Sequence, residues 1–197
     1  MKKLSLVLTV LGLSLVLVGC ASAPTEEVNA TKAAVEAAQN DDVTTYAPES
    51  LQTAQDNLSK ALAEIQAQDA KFALSRDYKP ASEMLKAAKD SAEKAKNDAQ
   101  ANKAQAKADA EALIASLPAT LEEAKKVLAK APRGKDTRAD LEAMQNDLKL
   151  AEEGLIEANT LMSQEKYKDA LAKATSIKDQ AAAVTEQVQT ALAKLKR

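Results

Sequence analysis

The sequence predicts an all-α chain built of elongated, alanine-rich helical hairpins. Two are expected in tandem, each packed antiparallel in the manner of a coiled coil or bundle. Three observations carry this reading. There are 43 alanines and only four glycines among 197 residues, and Ala is the best helix former while Gly is among the worst. Apolar positions recur at 3-4 spacing over long stretches, the pattern of helices lying nearly along one another. The whole pattern then occurs a second time at a nearly constant offset.

The N-terminus is read first. Met1-Lys2-Lys3 is a short basic start, and residues 4–18 form an apolar run of 15 residues. An ordinary membrane span needs roughly 20, so this length suits the core of a secretory signal instead. Leu17-Val18-Gly19-Cys20 follows directly and resembles the lipobox of bacterial lipoproteins. Residues 1–19 are therefore expected to be a lipoprotein signal peptide, cut between Gly19 and Cys20. The resemblance implies that Cys20 becomes the first mature residue and carries an S-diacylglycerol and an N-acyl group of palmitate type. Two or more such chains anchor stably where one is marginal. Ala21 stands where Asp, by resemblance to enterobacterial sorting, would retain the protein at the inner membrane. A lipid anchor in the bacterial outer membrane, facing the periplasm, is expected.

Residues 20–29 read as a lipidated, polar and flexible tether that includes Pro24. Residues 30–40 read as a short helix with Ala30, Ala33, Ala34, Ala37 and Ala38 on one face, broken by Asp41-Asp42-Val43-Thr44-Thr45. Pro48 suits the first turn of a new helix, where its missing N–H costs nothing. Leu51, Ala54, Leu58, Ala61, Ile65 and Phe72 then form its inner face out to residue 74. Ser75-Arg76-Asp77 reads as a turn. Tyr78 opens the next helix, with Ala81, Leu85, Ala88, Ala92, Ala95 and Ala99 in frame and the same frame running through Asn102, Ala106 and Asp109 to Leu113.

Between residues 86 and 112 the chain has no large apolar side chain. Such a stretch is either packed tightly on another helix or exposed as a self-supporting one. The long helix, read as 78–116, would span about 58 Å and its partner, 48–74, about 40 Å. An overhang is expected, and with it a candidate surface for a partner. The first hairpin domain is thus 30–117. A linker at 118–136 follows, with a short helix near 119–131 and the loop Pro132-Arg133-Gly134-Lys135-Asp136. Asp136 or Thr137 is expected to cap the helix after it.

Residues 137–197 repeat the plan. Leu141, Met144, Leu148, Ala151, Leu155, Ala158 and Met162 match the first hairpin at an offset of 90, and Tyr167, Ala170, Ala174, Ile177, Ala181 and Val184 match it at 89. A one-residue change placed in the turn is what a duplicated hairpin tolerates.

The stretch 30–101 resembles the domain of unknown function numbered 4398, found in alanine-rich bacterial envelope lipoproteins. The residues that carry this are Tyr46-Ala47-Pro48-Glu49-Ser50-Leu51, the series Ala54, Leu58 and Ala61, and Arg76-Asp77-Tyr78-Lys79 with Ala81, Ala88 and Ala92. The resemblance implies an envelope lipoprotein with a helical-hairpin domain and no known activity.

Composition narrows the chemistry. There is no His and only one Cys, so imidazole catalysis is excluded and, with Cys20 acylated, thiol catalysis as well. Carboxylates alone are poor zinc ligands, so no metal, cofactor or catalytic residue is expected. The formal charge is −2, which does not suit a nucleic-acid binder. The acid pairs Asp41-Asp42, Glu122-Glu123 and Glu152-Glu153 point apart on a helix and read as solvated faces. Glu122 with Lys126, Asp90 with Lys94 and Asp169 with Lys173 stand at i, i+4 and are expected to pair.

Tyr78 and Tyr167, at the head of each second helix, are candidate partner anchors or wedges in the turn. Lys194, Lys196 and Arg197 make a basic C-terminal end and a candidate contact for the anionic cell wall. The expected function is a non-enzymatic scaffold or adaptor that binds an envelope protein, or itself, through its helix faces. The alternative is a structural tether that contacts peptidoglycan through the basic end.

Overall fold

The computed structural model describes residues 22–134 and 137–195. The expected signal peptide, Cys20, Lys196 and Arg197 lie outside the described residues, and so does Asp136 as a cap. The described residues are all-helical, with no strand. In chain order they form α1 (Thr25–Ala38), α2 (Asp41–Tyr46), α3 (Pro48–Asp69), α4 (Lys79–Ala129), α5 (Arg138–Ser163) and α6 (Tyr167–Leu195), with a 3-10 turn at Ala73–Ser75 between α3 and α4.

α4 is the spine. Its 51 residues span about 76 Å, roughly twice the diameter of about 40 Å that a compact chain of this length would have. α1, α2 and α3 pack on its N-terminal half, and α5 and α6 on its C-terminal half. Three helices thus cover the first strip of α4 and two cover the second.

In the first half, α3 runs antiparallel to α4. The Ser50 hydroxyl donates to Asp98 at 2.5 Å, and further along the pair Asn57 donates to Ser91 at 3.0 Å. α1 runs parallel to α4: the Thr31 hydroxyl donates to the Leu85 carbonyl at 3.4 Å, while Asp42, just past α1, reaches Lys103. The alanine stretch of α4 is tightly packed. Ala88, Ala92 and Ala95 are fully buried, and Ala99 nearly so. Methyl-sized side chains give little burial each, about 0.8 kcal/mol per carbon. They let the helix axes approach, so that backbone and Cβ atoms supply the contact instead.

The second half repeats this geometry. Lys125 of α4 pairs with Glu152 of α5, and Glu157 of α5 with Lys173 of α6. Lys107 of α4 lies over the Tyr167 ring at the start of α6, and further along Ala119 to Ala124 of α4 lie beside Ala181 to Gln189 of α6, so α6 runs parallel to α4. The core is Leu117, Leu121, Leu128, Leu148, Ile177, Val184 and Val188 with the intervening alanines.

Several sequence expectations are corrected. α1 starts at Thr25, inside the stretch read as a flexible tether. Its inner face is Thr31, Val35 and Ala38, with Val28 half-buried, while Ala30, Ala33 and Ala37 are exposed. Valine side chains bury more area than methyl groups, and they set the rotation of the helix. Residues 41–45 do not simply break the chain. They form α2, capped by Asn40, whose side-chain oxygen accepts from the Val43 N–H at 3.0 Å. Asp109 is exposed, and the buried frame passes through Ala110 instead.

The largest correction concerns 118–136. No separate short helix forms there, because α4 continues through Pro118 to Ala129. An interior proline costs about 3 kcal/mol. Leu117 and Leu121, beside Pro118 on the buried side of the helix, are 0% and 3% exposed, and burying each contributes about 1.5–3 kcal/mol, which favours the unbroken helix. Pro118 itself faces solvent. The expected overhang of α4 is therefore covered by α5 and α6 rather than free. Thr137 stands at the start of α5, but its hydroxyl bonds the Gly134 N–H at 2.9 Å and the Pro132 carbonyl at 3.1 Å, bracing the loop rather than capping the helix.

Candidate functional site

The two halves meet at the middle of α4. Tyr167 at the head of α6 packs with Tyr46, Ala47, Val43 and Ala106 in one cluster, so the halves share a core. Lys103 stands between them. Its ammonium is 3.0 Å from Asp42 in the first half and 3.3 Å from Glu165 in the second. These hydrogen bonds, that to Asp42 foremost, hold the Lys103 ammonium above the usual lysine range against the opposing effect of burial. Lys168 donates to the Thr45 carbonyl, and its ammonium lies 5.4 Å from the centre of the Tyr46 ring. Lys107 stands 5.8 Å from the centre of the Tyr167 ring. Glu165 adopts φ 59°, the left-handed conformation that turns α5 into α6. The junction is thus a polar and aromatic clasp that fixes one half relative to the other.

Tyr78 and Tyr167 are not exposed anchors. They are 6% and 8% exposed. Tyr78 wedges the α3–α4 loop, its hydroxyl donating to Asp69 at 2.5 Å, which holds that hydroxyl above the usual tyrosine range. Tyr167 wedges the junction. Neither offers a face to a partner or glycan.

The acid pairs are spread over separate surfaces. Asp42 binds Lys103, Glu122 and Glu152 both bind Lys125, and Glu153 stands 4.0 Å from Lys149. Among the described residues no group of carboxylates gathers to hold a metal ion. The expected i, i+4 pairs are replaced: Lys94 turns to Asp98 rather than Asp90, and Lys173 to Glu157 rather than Asp169. Glu122 pairs with Lys125 rather than Lys126. The concave regions are shallow. The one of about 700 Å³ is lined by α6 alone, from Lys168 to Ala183, and so is an open helix face and not a cleft.

The two ends of the molecule differ sharply. At one end Ala23 and Val28 pack on the cluster of Ile65, Tyr78, Ala81 and Leu85, beside the α3–α4 loop. That loop exposes Phe72 at 75% and Leu74 at 70%. Both were expected inside a longer α3. α3 instead ends at Asp69, and the Arg76 guanidinium donates to the Asp69 and Lys71 carbonyls at 2.8 and 3.0 Å. The Gln68 side chain accepts from the Asp77 N–H at 3.0 Å. These bonds turn the chain out before Phe72 can pack. At the other end α4 finishes at Ala129 and α6 at Leu195, with Lys194 exposed beside Asp140, Asp147 and Glu186.

No protein-family model matches the chain, nor does any curated protein or solved structure.

Proposed function

We infer that the protein is a lipid-anchored envelope rod: a non-enzymatic helical lipoprotein of the outer membrane that acts in the periplasm as a scaffold or adaptor. The observation that carries this reading is the position of the anchor motif. Cys20 of the lipobox-like Leu17-Val18-Gly19-Cys20 is three residues from Ala23, which packs at one extreme of the spine. Three residues reach at most about 11 Å. An acyl group on Cys20 would hold that end at the bilayer and present the other end about 70 Å away.

The finer architecture belongs to the same proposal. Two tandem hairpins, α3–α4 and α5–α6, would derive from one duplicated coiled-coil-like unit of the kind that the resemblance to the domain numbered 4398 implies. The matched positions support it: Tyr78 and Tyr167, Ala81 and Ala170, Leu85 and Ala174, Ala88 and Ile177, Ala92 and Ala181, and Ala95 and Val184 are all buried.

Acyl labelling of the chain and of Cys20→Ser in bacterial cells, with fractionation of inner and outer membranes, tests the anchor. Label on the wild type alone, in the outer-membrane fraction, is the expected result. In-cell crosslinking followed by mass spectrometry tests the scaffold. A single dominant captured partner, or the chain itself, is expected, and a smear of abundant envelope proteins counts against it.

A second reading rests on Lys194 lying at the end of the spine opposite Ala23. A rod anchored at one end, with Lys194 exposed at the other, suits a tether that touches peptidoglycan through Lys194, Lys196 and Arg197. Co-sedimentation with purified sacculi at low salt is its test, and a chain that stays in the supernatant excludes it.

A further inference from the structure

We propose that the α3–α4 loop is a membrane-contact tip that inserts Phe72 and Leu74 into the phospholipid interface beside the anchored N-terminus. The proposal rests on the anchor at Cys20 inferred above, and extends it from a point attachment to a two-point one.

Four observations lead there. Phe72 and Leu74 are 75% and 70% exposed, one residue apart, on a loop that ends the rod. The hydrogen bonds of Arg76 and Gln68 hold this segment outward. The loop is braced rather than loose, because Tyr78 and Asp69 close its base. The chain leaves the described structure at Ser22, next to Ala23, which packs on Ile65 and Tyr78 at this same end. The exposed apolar pair and Ala23, three residues from Cys20 in sequence, are therefore at one end of the molecule, and three residues reach at most about 11 Å.

A lipid surface fits this face better than a protein partner. An anchored chain keeps the face against a bilayer at high effective concentration, so a modest apolar gain suffices for insertion. The neighbouring charges nearly balance: Lys71, Arg76 and Lys79 against Asp69, Asp77, Glu26 and Glu27. Contact is therefore driven by apolar burial and should depend little on anionic lipid or on salt. With two attachment points the rod is oriented outward from the bilayer rather than free to lie along it.

The chain contains no Trp, so Phe72→Trp gives a single reporter at an exposed site. The chain from Cys20 onward, coupled through its only thiol to a maleimide lipid, is placed in vesicles of phosphatidylethanolamine and phosphatidylglycerol. Trp at position 72 is expected to shift its emission to the blue and to be quenched by brominated acyl chains. Ile156→Trp, exposed on α5 in the other half, is expected to do neither, and adding Leu74→Asp to Phe72→Trp should abolish the shift. Circular dichroism of each variant checks the fold. Emission at position 72 that does not change on coupling overturns the proposal. So does a blue shift that appears without lipid and grows with protein concentration, because a second copy would then cover the tip. Chemical coupling supplies the anchor whatever the cell does, so loss of the acyl mass on Cys20 in cells, with the blue shift intact, sinks the anchor reading alone.

Discussion

The Tyr78 hydroxyl donates to the Asp69 carboxylate across the base of the loop that joins α3 to α4. The bond closes the turn, and it also links folding to proton binding at high pH. The hydroxyl is held above its ordinary value of 10.0, chiefly by the bond to Asp69 and then by burial. The folded chain therefore keeps this proton where the unfolded chain loses it. The stabilisation is complete below pH 10 and disappears as pH rises through the folded value. Tyr78→Phe is expected to be less stable than wild type at pH 7, with the gap closing above pH 10. Lys103 and Lys125 also hold their protons more tightly in the fold, but both variants share that loss. Urea midpoints of the two chains from pH 7 to pH 11 measure the difference, and a constant gap would exclude the linkage.

Asp98 gives the opposite arm. The Lys94 ammonium and then the Ser50 hydroxyl donate to it and hold its carboxyl below the usual 3.8. Here the unfolded chain binds the proton first. The contribution is present above pH 3.8 and is lost as pH falls through the folded value. Asp98→Asn should flatten the acid limb of the stability curve and lower stability at pH 7. Thermal unfolding followed between pH 7 and pH 2.5 checks both effects, and an unchanged acid limb would show that Asp98 titrates normally in the fold.

The alanine seam makes a sharper demand than its low hydrophobicity suggests. Ala95 is 0% exposed between helices, whereas Ala101 on the same helix faces solvent. Ala95→Leu adds carbons at a fully buried position of the seam and should destabilise by about 1–3 kcal/mol. Ala101→Leu should stay within about 0.5 kcal/mol of wild type. Calorimetric Tm values distinguish them, at about 2–4 °C per kcal/mol for a chain of this size. Equal values would mean that the seam is loose.

Helix identity and the inner frame of α4 from Ala81 to Ala99 could be read from the chain, because 3-4 spacing reports directly which side faces a neighbour. Rotation of α1 was not legible. Ala30, Ala33 and Ala37 suggested a face, but Val28 and Val35 bury more and win. Pro118 misled for a related reason: propensity reports a local cost, while Leu117 and Leu121 contribute only once α5 and α6 are in place. The outward turn at Phe72 had a faint signal in Gln68, a polar residue in the apolar frame just before it. The bonds from Arg76 that create the turn depend on tertiary geometry. The clasp of Lys103, Asp42 and Glu165 joins residues more than sixty positions apart, and no local pattern announces it.

Gly154 is a glycine inside α5, where alanine would ordinarily be preferred by about 1 kcal/mol. A Cβ there would meet Lys173 Cε at 3.1 Å and Ile177 Cγ1 at 3.3 Å. The Lys173 contact is the far end of a flexible side chain and can move. Ile177 is 1% exposed and must give by a few tenths of an ångström. Gly154→Ala is therefore expected to be stabilising, by less than about 1 kcal/mol, and Gly154→Leu destabilising by about 1–3 kcal/mol. Denaturant titration of both variants tests this. A destabilised alanine variant would show that Ile177 cannot shift.

Pro118 offers the last test, because its cost is local while its compensation comes from packing on α5 and α6. The ring removes the N–H that would bond the Ile114 carbonyl, inside the C-terminal half of α4 on which α5 and α6 pack. Hydroxyls near it bond other carbonyls of this turn: Ser116 donates to Leu113 at 2.7 Å and Thr120 to Ser116 at 3.1 Å. The ring faces solvent, so its removal leaves no cavity. Pro118→Ala should restore the bond and stabilise the second half by roughly 1–3 kcal/mol, somewhat below the full cost of an interior proline. Hydrogen exchange at residues 114–121 should slow in step. A loss of stability would instead mean that the packing of Leu117 and Leu121 on α5 and α6 depends on a bend that the proline maintains, so that a straight α4 misaligns with α5 and α6.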